Sequence, residues 1–144
     1  MLLAIAPDDI GVDVECVRHD FHFQDVVDFS FSPKEKNFIK ESADPTKAFY
    51  TLWTRKEALV KATAQGINDD FNYIPSLNGS HLIDQAKLIT SLDWTTSSFP
   101  IGTDCIGAIS YPFALNSKDF AFYTVDTIPS ALYAPSNQLV INTI

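Results

Sequence analysis

The sequence has few cysteines, few glycines and no long apolar run, and each shortage excludes a class of protein. Two cysteines, Cys16 and Cys105, are too few for a disulfide framework, so we expect reduced thiols in a cytoplasmic protein. Five Gly and eight Pro among 144 residues exclude a collagen-like or low-complexity chain. No stretch approaches the roughly 20 apolar residues that cross a bilayer, so we expect no membrane partner.

Basic residues are also scarce, because 10 Lys and Arg stand against 18 Asp and Glu, giving a net charge of −8. This balance argues against nucleic acid as a partner and disfavours a metal-dependent nuclease, since binding a phosphate backbone needs clustered cations. Seven of the ten bases nevertheless lie between residues 34 and 61. Such a segment suits a small phosphorylated ligand or an acidic protein partner, but ordinary surface lysines would give the same pattern.

The pattern of apolar residues predicts an α+β domain, with helices packed on one face of a mostly antiparallel sheet. Alternating apolar and polar residues over Ile10–Glu15 predict a first strand. Ser32 and Asp44 each stand before a proline, which is typical of a helix start, and predict helices over 33–42 and 45–64.

The second half of the chain is β-rich in pattern. Short runs with apolar or β-branched residues predict three strands, at Lys87–Leu92, Cys105–Tyr111 and Asp119–Val125. No linker divides the chain, so we assign residues 1–128 to one domain and residues 129–144 to a C-terminal tail or an added strand.

The longer predicted helix carries an apolar stripe with a lysine inside it. Lys56 falls within this stripe, and Glu57 and Lys61 lie on its flank, four residues apart. One interpretation is that Lys56 extends its charge to solvent while Glu57 and Lys61 form a surface pair. The other is that this flank faces a site. The apolar residues of the stripe should be buried against the sheet, namely Phe49, Leu52, Trp53, Leu59 and Val60.

Two carboxylates share one face of the first predicted strand. Asp13 and Glu15 are two residues apart, which at about 3.3 Å per residue separates them by roughly 7 Å. Carboxylates at this spacing can approach one hard cation such as Mg²⁺, directly or through a water molecule. The same pattern also occurs on a solvent-facing strand, so the pair alone is weak evidence for a metal site.

Three motifs together resemble the 4′-phosphopantetheinyl transferase superfamily, in particular its larger, pseudo-dimeric, surfactin-synthetase-activating type. They are GVDVE at Gly11–Glu15, the helix start FSPKE, and FYTLWTRKEALVK at Phe49–Lys61. The resemblance implies Mg²⁺ binding by Asp13, Glu15 and Glu57, and contact of Lys61 with a coenzyme A phosphate. If the flank of the helix faces this site, Lys56 is a second phosphate contact. We expect Glu57 and Lys61 to be the catalytic residues.

The resemblance implies transfer of 4′-phosphopantetheine from coenzyme A to a serine of an acyl or peptidyl carrier protein. The carrier is expected to dock near Lys34–Lys47. The sequence departs from the family where Ala64-Gln65-Gly66 replaces Gly-x-Gly, and it matches only the C-terminal half of the larger type. We therefore expect a homodimer, or a partner resembling the missing N-terminal half. The alternative is a non-catalytic half that acts as a binding or assembly module.

Overall fold

The computed structural model describes residues 1–67, 70–78, 80–81, 93–113, 120–124 and 142–143. The chain groups into two units, Met1–Ala114 and Leu115–Ile144. The boundary expected at residue 128 lies within the second unit and stays a prediction. In the described part of the chain, no helix combines the length and the apolar character needed to cross a membrane.

The first unit packs helices against a four-stranded antiparallel sheet and confirms the α+β prediction. Its helices are α1 (Gln24–Ser30), α2 (Pro33–Glu41) and α3 (Pro45–Thr63). Its strands are β1 (Gly11–Cys16), β2 (Ser80–His81), β3 (Trp94–Ile101) and β4 (Cys105–Pro112), arranged in the order β1-β4-β3-β2. The second unit holds a two-stranded ribbon of β5 (Tyr123–Thr124) and β6 (Asn142–Thr143).

Side-chain caps begin α2 and α3 as the sequence predicts. Ser32 accepts a hydrogen bond from the backbone N–H of Glu35, whose carboxylate accepts one from Ser32 N–H, so the capping box is complete. Asp44 accepts from Lys47 N–H at 2.9 Å. Helix α3 ends at Ala64, which adopts the left-handed conformation with φ of 56°. A glycine would take that conformation without steric cost.

The predicted strands are only partly matched. β1 and β4 lie where the sequence predicts them. β3 is not predicted, because its serines, threonines and Pro100 obscure any apolar alternation. The predicted strand Lys87–Leu92 lies outside the described residues, and within Asp119–Val125 the structure describes a strand only at Tyr123–Thr124.

The apolar stripe of α3 forms the centre of the core, with one exception. Four of its predicted core residues are buried: Phe49, Leu52, Leu59 and Val60. Trp53 is half-buried and packs against the core, so its predicted burial is only partly matched. Its ring contacts the rings of Phe31, Phe49 and Phe71, which places it at the margin of the core.

The two cysteines are joined, which corrects the expectation of reduced thiols. In the antiparallel register, Cys16 at the end of β1 lies directly opposite Cys105 at the start of β4. The structure links them in a disulfide that spans 89 residues of sequence. The prediction of reduced thiols rested only on the number of cysteines. It did not use their positions, since Cys16 directly follows the first predicted strand and Cys105 begins another.

Candidate magnesium and phosphate site

The candidate site forms where β1 touches α3, and Gly11 makes that contact possible. A Cβ atom at Gly11 would lie 2.0 Å from the carbonyl oxygen of Ala58 and 2.4 Å from the nitrogen of Ala62. Only a residue without a side chain allows two backbones to approach so closely. Because side chains two apart share a strand face, the contact turns Asp13 and Glu15 toward α3. The sequence alone shows that Asp13 and Glu15 share a face, but it does not reveal this role of Gly11.

This contact also corrects which face of β1 is packed. An alternating strand normally buries its apolar face, yet Val12 and Val14 are half-buried, whereas Gly11 and Asp13 on the other face are buried. The acids therefore lie between strand and helix instead of on a solvent-facing surface. A buried carboxylate requires a positive partner or hydrogen-bond donors.

Lys61 supplies that positive partner. Its Nζ lies 2.6 Å from Oδ1 of Asp13, whose side chain is 9% exposed, while the Lys61 side chain is 51% exposed. The second oxygen, Asp13 Oδ2, is buried and has no hydrogen-bond partner in the described part of the chain. The structure thus brings Asp13 and Lys61 together from positions 48 residues apart.

Two glutamates complete a crowded group of negative charge. Burial raises the pKa of Glu15 most, the charge of Asp13 raises it further, and the Lys61 ammonium partly offsets both. Burial is likewise the main cause that raises the pKa of Glu57, with repulsion from Asp13 and Glu15 adding to it and Lys61 again opposing. The three acids are close enough to repel one another, and one ammonium does not neutralise them.

The donor set fits a hard divalent cation. Mg²⁺ binds to carboxylate oxygens. Asp13 Oδ2 has no hydrogen-bond partner among the described residues, and burial, with repulsion among the acids adding to it, raises the pKa values of Glu15 and Glu57. Among the described residues, however, no three His, Cys, Asp or Glu side chains converge on a common metal position. Lys61 instead holds Asp13, so its ammonium would have to give way to a cation there.

Lys56 lies elsewhere, and its expected contact with coenzyme A phosphate is not supported by its position. Its side chain is fully buried and its Nζ lies 3.1 Å from Glu35 Oε2. It also donates to the carbonyl oxygens of Phe71 and Ile74. Because an ammonium has three donors and all three are used inside the protein, none is left for a phosphate. Lys56 therefore neither extends its charge to solvent nor faces the candidate site, so both interpretations drawn from the sequence are wrong for this residue.

The basic segment 34–61 is partly neutralised in the folded chain. Lys36 pairs with Asp28 at 3.4 Å, and Lys56 and Lys61 pair with the acids described above. Lys34, Lys40 and Lys47 remain exposed on and near α2. The exposed lysines outside these ion pairs therefore lie on α2 and in the first turn of α3.

An aromatic groove of about 250 Å³ opens beside Glu15. Its walls include the rings of Phe21, Phe49, Tyr50 and Trp53, and Arg18 lies at the same opening. Trp53, which is half-buried, is one of the residues that line this groove. The sequence does not predict the groove, since Phe21 lies at least 28 residues before the lining residues of α3, the first of which is Phe49.

Comparison with known proteins identifies the family. The family model described as "ACPS: 4'-phosphopantetheinyl transferase superfamily" matches residues 9–109, which include β1, the three helices α1 to α3 and most of β4. The chain belongs to the 4′-phosphopantetheinyl transferase superfamily. The match contains the candidate site residues Asp13, Glu15, Glu57 and Lys61.

Individual relatives carry the same family name. The Synechocystis protein slr0495 is 34% identical over 101 residues, covering 67% of this chain and 40% of that protein. The 4′-phosphopantetheinyl transferase HetI of Nostoc is 28% identical over 103 residues, covering 70% and 42%. The L-aminoadipate-semialdehyde dehydrogenase-phosphopantetheinyl transferase of Schizosaccharomyces pombe is 42% identical over 65 residues, covering 43% and 25%.

The chain spans about two-fifths of the length of the first two relatives. Among solved structures, the "Chronobacterium ammoniagenes ACPS-CoA complex" aligns over 71% of this chain and 93% of that one. The TM-score is 0.48 and the identity 22%, a similarity too low to support an argument.

Proposed function

We propose that the chain carries the metal-binding and catalytic part of a 4′-phosphopantetheinyl transferase, which moves phosphopantetheine from coenzyme A to a carrier-protein serine. The observation that carries this proposal is the juxtaposition of Asp13, Glu15, Glu57 and Lys61 across the contact between β1 and α3. Family membership supplies the reaction class. Because the chain spans only part of its relatives, the complete activity is part of the proposal.

Each residue of the candidate site has its own role in the proposed reaction. Asp13, Glu15 and Glu57 would hold Mg²⁺, which when bound offsets the negative charge of the pyrophosphate. Lys61, half-exposed at the rim, donates to a phosphate oxygen once it leaves Asp13. The serine oxygen attacks the phosphorus that bears pantetheine, the bond to the bridging oxygen breaks, and 3′,5′-ADP leaves. Glu57, or a water that it orients, accepts the serine proton, and its raised pKa suits a general base.

Two surfaces fit the substrates. The aromatic groove beside Glu15 offers an apolar wall for the pantetheine arm, next to the acids that face the pyrophosphate. The exposed Lys34, Lys40 and Lys47 present positive charge to an acidic carrier protein. Both assignments are proposals that depend on the transfer reaction.

The test is calorimetric titration of coenzyme A into the chain, with Mg²⁺ or with a chelator. We expect binding that requires Mg²⁺ and is lost in Asp13→Asn, whereas Asp25→Asn, which changes an exposed acid on α1, binds as the parent chain does. A mass-shift assay on a carrier protein then reports transfer. Metal-independent binding, or equal binding by Asp13→Asn, would overturn the proposal. Metal-dependent binding without any transfer would instead support the non-catalytic alternative.

A further inference from the structure

A buried ion pair lies close to the candidate site without belonging to it. Lys56 on α3, Glu35 on α2 and Ser76 after the short turn Phe71–Tyr73 are exposed by 0%, 2% and 0%. Burying two charges is costly even when they are paired, and apolar residues of the same volume often serve stability as well. Stability alone therefore does not account for this buried ion pair, and the alternative is a role in positioning the helices that it joins.

Glu35 uses both of its oxygens to join α2 to the chain around Ser76. Oε2 accepts from Ser32 N–H at 2.8 Å and from the Ser32 hydroxyl at 2.9 Å, and it pairs with Lys56. Oε1 accepts from Ser76 N–H at 2.9 Å and from the Ser76 hydroxyl at 2.6 Å. The carboxylate is thereby held in one place, and it provides a fixed anchor for the lysine.

Lys56 is held as firmly as its partner. Besides Glu35, its ammonium donates to Phe71 O at 3.2 Å and to Ile74 O. It also lies 5.1 Å from the centre of the Phe31 ring and 5.6 Å from that of Phe71, within the range of cation–π attraction. These contacts tie the Lys56 side chain, and the turn of α3 that carries it, to α2 and to the chain between Phe71 and Ile74.

The direction of these contacts around α3 gives them a consequence for the site. At about 100° per residue, Lys56 lies roughly 160° from Ala58 and roughly 120° from Ala62 around the helix, so the Lys56 anchor and the Gly11 contact hold different sides of α3. Two fixed points on different sides of a helix oppose its rotation about its axis. Glu57 lies between them, and Lys61 follows one turn later on the same flank.

We propose that Lys56 is a positioning residue: its buried bonds to Glu35, Phe71 and Ile74 set the rotation of α3, so that Glu57 and Lys61 face Asp13. The metal readout below rests on the proposed function, but the ion-pair readout does not. The bonds of Lys56 go to Glu35, Phe71 and Ile74, away from the acids of the candidate site.

The experiment compares Lys56→Met with Ile39→Ala, a control in the same helix interface. Ile39 is buried on α2 one turn after Glu35, so its truncation destabilises the interface without removing a bond of Lys56. The double variant Glu35→Gln/Lys56→Met is measured alongside, because it buries no unpaired charge. Mn²⁺ affinity is measured by electron paramagnetic resonance. Lys61 pairing is followed by lysine side-chain NMR, with the signal assigned by its loss in Asp13→Asn.

We expect Mn²⁺ affinity to fall by at least tenfold in Lys56→Met and in the double variant, within the ~10–100-fold range seen when a residue behind a metal ligand is lost. Both should also lose the Lys61 pairing signal, while Ile39→Ala keeps both properties well below its melting temperature. Parent-like affinity and pairing in the double variant would overturn the proposal, as would an equal loss in Ile39→Ala. If the parent chain binds no Mn²⁺, the proposed function fails, and the Lys61 signal alone decides the positioning role.

Discussion

Replacing Gly11 by alanine is the sharpest test of how the site is built. The added Cβ would lie 2.0 Å from the Ala58 carbonyl oxygen and 2.9 Å or less from the nitrogen and Cα of Ala62, whereas real Cβ atoms essentially never come within 3.0 Å. All three obstructing atoms belong to the backbone of α3. No side-chain rotation relieves the overlap, so β1 and α3 must separate by about 1 Å, at the typical cost of overpacking.

The loss of unfolding free energy in Gly11→Ala can be estimated from this geometry. Overpacking a core costs about 1–3 kcal/mol, and an obstacle made of backbone belongs at the upper end of that range, near 3 kcal/mol. With a urea m-value of about 1–3 kcal/mol/M, the unfolding midpoint should fall by at least about 1 M. The separation also moves Asp13, two residues further along the same face, away from Lys61.

Gly107→Ala is the matched control, since it makes the same change in β4. A Cβ there meets Phe99 Cε2 at 2.4 Å and Ile101 Cδ1 at 2.9 Å, both far ends of side chains that can turn aside. Urea unfolding should show a smaller loss for Gly107→Ala, reduced further when Phe99 becomes leucine. Trimming Ala62 to glycine should bring no such relief to Gly11→Ala. A loss below about 0.5 kcal/mol for Gly11→Ala would refute the argument that the two backbones are in contact.

Three further predictions concern single features. Ala64→Gly should raise the free energy of unfolding by about 1 kcal/mol, because Ala64 adopts φ of 56°; an unchanged urea midpoint would contradict this. Without divalent metal, Glu57→Gln should stabilise the chain by roughly 0.5 kcal/mol at pH 7, because it removes a charge that burial disfavours and that Asp13 and Glu15 repel. The pKa of Glu57 is raised on folding, so this gain should disappear as the pH falls through the raised value, where the parent chain becomes protonated; a gain that persists in acid would count against the repulsion. Finally, sedimentation over a hundredfold concentration range should show self-association, because Leu3 and Ile5 are 71% and 90% exposed, and a strictly monomeric chain would disprove it.

Local signals predicted the helices of this fold well. Ser32 and Asp44 cap the helices that they were expected to begin, because a cap and the following proline act within four residues. The short helix α1 and strand β3 escaped prediction. β3 owes its place to pairing with β4 across its whole length, a contact that local composition does not reveal.

The site was predictable as a set of residues but not as a geometry. The motifs indicated Asp13, Glu15, Glu57 and Lys61, and the first and last of these do meet. The predicted role of Lys56 was wrong. Its position in the apolar stripe indicated an unusual lysine, but it did not reveal that Glu35, 21 residues earlier, forms an ion pair with it inside the protein. Such long-range pairs depend on tertiary packing, which a single sequence does not specify.

The position of β1 in the sheet has a consequence for solubility. In the order β1-β4-β3-β2 the strand lies at the edge, so one side of its backbone has no neighbouring strand in the described part of the chain. Open edges invite pairing between molecules, and inward-pointing charges are one way in which proteins discourage it. Asp13 and Glu15 point inward from this edge, and a strand added alongside β1 would have to accommodate their charge. Asp13 and Glu15, which we propose as metal ligands, should therefore also disfavour aggregation through this edge. Replacing both with apolar residues would remove that protection together with the site.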